Sequence, residues 1–102
     1  MYFDVIVAGG SVSGLLCARE IAAGNLSVLV IEEDYEIGTP EHCGGLVSLA
    51  GLEELGVIPF RKTFEHIIES AKITSPNGKN FTINSKKQKV IEINRRELDK
   101  QI

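Results

Sequence analysis

The stretch DVIVAGGSVSGLLCARE, residues 4–20, limits what this chain can fold into more than any other. The apolar, β-branched run from Phe3 to Ala8 ends at paired glycines, which reads as a buried strand of the kind a parallel sheet prefers. A turn at Gly9–Ser11 then opens a helix of about three turns, for which Gly24-Asn25 is the expected stop. A second apolar run, Leu26 to Glu33, follows at once. Strand, tight turn, helix and strand in this order form a βαβ unit, so the first two strands are expected to be parallel neighbours with a right-handed crossover.

The turn itself has a chemistry. In the pattern Gly-x-Gly-x-x-Gly the first glycine makes the tight turn, the second admits a pyrophosphate to the backbone, and the third lets helix and strand approach closely. Those positions are Gly9, Ser11 and Gly14, with Gly10, Val12 and Ser13 between them. Serine at the middle position is small, and its hydroxyl can donate to a phosphate oxygen, while the free amides and dipole at the helix start still attract an anion. Glu32 stands 18 positions after Gly14, close to the spacing of about 20 at which an acid accepts hydrogen bonds from ribose hydroxyls. Glu33 takes that role if the strand end is displaced by one. An acid here disfavours a 2′-phosphate, so FAD or NAD is preferred over NADP. The plain alternative is that the glycines serve packing alone and Glu32 is a solvated strand end.

Downstream, a Gly/Pro-rich loop runs to Gly45, followed by a short helix around Ser48 to Leu55, capped by Ser48 and stopped by Gly56 and Pro59. The segments HIIESAKITSP, NFTIN and VIEIN, joined by the Asn77-Gly78 turn and by SKKQK, read as three antiparallel strands in a meander. RRELDKQI reads as the start of a helix, with Asn94 as N-cap and Glu97 as its capping-box partner.

Composition excludes several classes. The 102 residues allow one small domain, with ordinary hydrophobic (43%) and charged (25%) content. Residues 1–60 carry nine acids and one base, whereas residues 61–102 carry ten bases and five acids. The basic half has only Phe64 and Phe81 as stacking aromatics, so no nucleic-acid partner is expected. Cys17 and Cys43 lack metal-knuckle spacing and a secreted framework, so no metal is expected and reduced thiols point to the cytoplasm. Cys17 is expected in the core and His66 at a solvated strand edge. No targeting segment is expected from the first residues, and the sequence has no apolar run near the roughly 18 residues of a membrane span.

The loop EIGTPEHCGGLVS, with the glycine turn, Glu32 and the closing NRRELD, resembles the FAD-binding N-terminus of the geranylgeranyl reductase family over essentially the whole chain. These are flavin-dependent oxidoreductases that saturate isoprenoid chains, including those of archaeal ether lipids. The resemblance implies an α/β fold: a Rossmann-like FAD/NAD(P)-binding βαβ unit (1–35), a Cys-Gly-Gly loop and short helix (36–60), an added antiparallel three-stranded β-meander (61–94) and a helix start (95–102). That fold is incomplete relative to the full family. It implies that the Ser13 turn contacts the FAD pyrophosphate, Glu32 the ribose, Cys43 and Gly44 the flavin region, and Arg95 the cofactor from the last helix. Gly45 stands one position before the family's usual loop glycine, a place taken here by Leu46. Cys43 is the one candidate catalytic residue. An isoprenoid or lipid substrate, an external electron donor of unspecified kind and peripheral membrane association are further implications. Two other readings stay open: a fragment of a flavin monooxygenase or electron-transfer-flavoprotein-type dehydrogenase, and a truncated, non-catalytic nucleotide-binding module.

Overall fold

A computed structural model describes residues 1–84 and 89–102. It is a mixed α/β structure. Strand β1 (Val5–Ala8), helix α1 (Val12–Ala23) and strand β2 (Val28–Ile31) follow one another, and the strands pair in parallel from Val5↔Val28 to Ala8↔Ile31. Asp4 fastens the open end of the pair: its carboxylate accepts from the Ser27 amide and hydroxyl, each at 2.8 Å. Helix α1 lies so close to β1 that a Cβ on Gly14 would sit 2.0 Å from the Gly9 carbonyl oxygen, which is why glycine stands at that position. At its far end Asn25, with φ 61°, takes the left-handed conformation rather than Gly24.

Cys17 is exposed, against its expected place in the core. At about 100° per residue, it falls between the edge of α1 that faces β1, marked by Gly14 and buried Ala18, and the edge formed by Val12 and Leu16. Among the described residues nothing covers that gap. The other face of the β1–β2 pair is likewise open, with Ile6 and Ile31 more than half exposed.

After the loop come β3 (Leu46–Ser48), α2 (Leu49–Glu54), β4 (Phe64–Ile68), β5 (Ser70–Thr74), β6 (Asn80–Asn84), β7 (Val90–Ile93) and α3 (Arg95–Gln101). Ser48 caps α2 through a bond from the Gly51 amide to its Oγ. Strands β5 and β6 form the expected hairpin, with Gly78 at φ 87° in its turn. The expected meander is not formed. VIEIN does not add to the outer side of β6; β7 pairs instead with β4 and, on its other side, with β3. The run 64–74 is long enough to partner both returning segments, and pairing β7 there buries Ile91 and Ile93 in the core. Residues 85–88 of the expected SKKQK turn lie outside the described residues.

The core sits where β7 meets the helices. Ile91, Ile93, Leu52, Val57 and Leu98 are buried together, with Val12 and Leu16 of α1 packed against them. Each such side chain contributes about 1.5–3 kcal/mol by leaving water. Fully buried Thr63 ties the chain before β4 to both ends of α3: its carbonyl accepts from the Asn94 amide at 2.8 Å and its hydroxyl donates to Gln101 Oε1 at 3.0 Å. Helix α3 is therefore docked against the core, with its N-terminus facing the glycine turn. Among the described residues no helix is long and apolar enough to cross a membrane.

Candidate functional site

The first turn of the site is built by Gly9, whose φ of 108° is a conformation that residues with a side chain rarely adopt. It redirects the chain from β1 into α1. Ser11 is the N-cap of α1 with extended backbone, and its hydroxyl makes no capping bond within the helix. The amides at the start of α1 and its dipole thus face outward at the end of β1.

Glu32, just past the end of β2, is bound to this turn. The Gly10 amide donates to its Oε2 at 2.7 Å and the Asp34 amide to its Oε1 at 3.0 Å. The Asp34 amide first, and then the Gly10 amide, hold its carboxyl below the ordinary carboxylate value. A carboxylate has about four acceptor sites, so two such bonds orient Glu32 and leave lone pairs for a ligand.

The third part comes from the loop and α3. Cys43 is exposed, and its sulfur accepts from the Gly45 amide at 3.4 Å. That amide first, and then the Arg95 guanidinium, hold the thiol below its ordinary value. Arg95 opens α3. Its Nε donates to Asp99 Oδ1 at 3.3 Å and its Nη2 to Ser11 Oγ at 3.4 Å, so the last helix is tied directly to the glycine turn.

These parts enclose one cavity of about 340 Å³, to which Gly10, Ser11, Glu32, Cys43 and Arg95 all contribute. That volume lies at the small end of the roughly 300–1,000 Å³ usual for ligand sites. Five expected residues from four separate stretches of the sequence are thereby brought together. The others stand around them. Val12 packs on the core, Gly14 holds α1 to β1, and Ser13 is exposed on the first turn of α1. Glu33 is exposed and outside the cavity wall, so Glu32 is the acid at the turn. Gly44 is exposed, with open space where a Cβ would be. Gly45 is buried, with φ 77°, and a Cβ there would lie 2.2 Å from the Ile93 carbonyl oxygen. Its lack of a side chain is required by β7.

Sequence reading missed Asp99, which also lines the cavity; only its i, i+4 spacing from Arg95 signalled it. It also missed a surface group on the β4–β7 pair. His66 is exposed as expected, yet its Nδ1 lies 3.0 Å from Glu92 Oε2, and Glu65 joins them within 4.8 Å. A bulge between Phe64 and His66 accompanies that convergence.

No family model matches the sequence. Among curated relatives, digeranylgeranylglycerophospholipid reductase 1 of Methanothermobacter thermautotrophicus is 35% identical over 89 residues, 87% of this chain and 22% of the relative. Digeranylgeranylglycerophospholipid reductase of Methanocella arvoryzae is 43% identical over 76 residues, 74% of this chain and 19% of the relative. The crystal structure of a geranylgeranyl bacteriochlorophyll reductase-like protein from Thermoplasma acidophilum superposes with a TM-score of 0.86 at 31% identity, covering 96% of this chain and 26% of that one. The chain thus spans about a fifth to a quarter of the length of the proteins it matches. By sequence and by backbone, the chain is a relative of the geranylgeranyl reductases, matched over part of their length.

Proposed function

We propose that this chain is the FAD-binding portion of a flavin-dependent reductase acting on isoprenoid double bonds in archaeal-type lipid biosynthesis. The observation that carries this reading is the single cavity shared by the glycine turn, Glu32, Cys43 and Arg95. A Rossmann-like dinucleotide site needs a strand–turn–helix with outward amides and an acid at the second strand's end, and both are present. The relatives whose names specify an isoprenoid glycerophospholipid reductase supply the substrate class.

The residues fit the cofactor. Gly9 and the first amides of α1 would hold the pyrophosphate, with Ser11 and Ser13 offering hydroxyls and Arg95 a fixed positive charge. Glu32, already ionised and oriented by two amides, accepts from the adenosine ribose hydroxyls and repels a 2′-phosphate. Gly44, with open space where a Cβ would be, would admit a flat ring system such as the flavin. When bound and reduced, the flavin supplies the hydride that saturation of a double bond requires. Cys43 Sγ, between the Gly45 amide and the Arg95 guanidinium, holds an exchangeable proton on the wall of the cavity. The test is thermal unfolding of the purified chain with FAD, and with NADP as a control. FAD at about 100-fold its Kd adds roughly 2.7 kcal/mol and raises the midpoint, whereas NADP does not; no shift with FAD would overturn the assignment.

A further inference from the structure

Asp99 belongs to neither the glycine turn nor the Cys-Gly-Gly loop, yet it is 4% exposed on the wall of the same cavity. A buried carboxylate is costly unless paired, and among the described residues its hydrogen-bond donor is Arg95 Nε. Arg95 is itself in an awkward place, because a cation at the first position of a helix opposes the dipole. The two offset each other one turn apart. Asp99 takes only the Nε–H of the planar guanidinium, and Nη2 bonds Ser11, with Cys43 beside the same group.

We propose that Asp99 is a positioning residue of this cavity: it holds Arg95 by its Nε edge, fixing the guanidinium toward Cys43, Ser11 and the anionic part of a bound cofactor. The cofactor half rests on the flavin reading; the Cys43 half does not. The cavity wall that carries Cys43 also carries Arg95 and Asp99 from α3, Glu32 and Asp34 from the end of β2, and Glu41 and His42 from its own loop. Asp99 acts on the thiol in two opposed ways. Its charge, through space, disfavours the thiolate, while its hold on Arg95 favours it.

That opposition makes the sign of one measurement decisive. The rate of Cys43 alkylation by iodoacetamide is followed against pH in the full chain, with exposed Cys17 changed to alanine. If Asp99 positions Arg95, Asp99→Asn raises the apparent thiol pKa, as Arg95→Gln does, and gives no further rise in the Arg95→Gln background. A fall, or an equal rise in both backgrounds, would overturn the proposal. Arg95→Lys leaves Asp99 untouched but lacks the fork that bonds both sides at once, so it too raises the pKa; an unchanged value would show that charge alone suffices. FAD affinity, measured separately, falls about tenfold or more in Asp99→Asn. Unchanged affinity would overturn the cofactor half. A chain that binds no FAD at all sinks the flavin reading and leaves the alkylation result standing.

Discussion

The Gly10 amide donates to Glu32 Oε2 at 2.7 Å, so the acid at the end of β2 is locked onto the turn that ends β1. Together with the Asp34 amide it keeps Glu32 ionised and oriented before any ligand arrives. A Cβ on Gly10 would come within 3.0 Å of the same Oε2. The turn and the acid are thus joined, and on the FAD reading Gly10→Ala should displace the carboxylate and weaken FAD binding more than it weakens the fold. FAD titration beside thermal unfolding separates the two effects; equal losses in both would contradict this.

Two such anchored carboxylates contribute to acid stability, beside Glu36, which Lys100 holds below its ordinary value. Glu32 is held below its ordinary 4.5 by the Asp34 and Gly10 amides, and Asp4 below its ordinary 3.8 by the Ser27 amide and hydroxyl. A depressed native pKa means the unfolded chain binds more protons, so this stabilisation is complete above the ordinary values and is lost as pH falls through the lowered ones. Thermal unfolding between about pH 6 and pH 3 should show the midpoint falling in the unaltered chain. The Glu32→Gln/Asp4→Asn variant should show a shallower fall. Identical slopes would remove these groups from the acid transition.

Gly14 of α1 and the loop glycines Gly44 and Gly45 should separate cleanly. Gly14→Ala meets the Gly9 carbonyl at 2.0 Å, and Gly45→Ala meets the Ile93 carbonyl at 2.2 Å while also forcing φ 77° on alanine. Each should cost about 1–3 kcal/mol or more. Gly44→Ala enters open space and should leave the unfolding midpoint nearly unchanged while reducing FAD affinity. A Gly44→Ala chain as unstable as Gly45→Ala would contradict the division.

At α3, Asn94→Ala should cost about 0.5–2 kcal/mol, because Asn94 Oδ1 accepts from the Glu97 amide at 3.2 Å. Glu97→Gln should cost much less. The reciprocal half of the expected capping box is taken over by Thr63, whose carbonyl receives the Asn94 amide, and Glu97 instead reaches Lys62 at 3.3 Å. Denaturant unfolding of both variants reads the difference.

Where neighbours in sequence decide the structure, the sequence was legible. The β1–α1–β2 order, the Ser48 cap, the Asn77-Gly78 turn and the Asn94 cap all follow from local backbone chemistry. The partner of β7 was not, because VIEIN alternates as well beside β6 as beside β4, and only burial of Ile91 and Ile93 against α2 and α3 distinguishes them. Cys17 was misplaced for a related reason: small apolar neighbours on a helix do not tell which arc is covered. In the site, Glu32 and Ser11 were readable from spacing. Asp99 was not, since its importance comes from burial beside Arg95 rather than from any motif.

The most direct test is FAD titration of the unaltered chain, Ser11→Gly and Gly9→Val, followed by flavin fluorescence. Ser11 already has the extended backbone the position requires, so glycine there should leave affinity unchanged or improve it. Gly9 has room for a side chain but not the φ for one, so valine should abolish binding at the turn. A Gly9→Val chain that holds FAD as tightly as the unaltered one would return residues 4–20 to a role in packing alone.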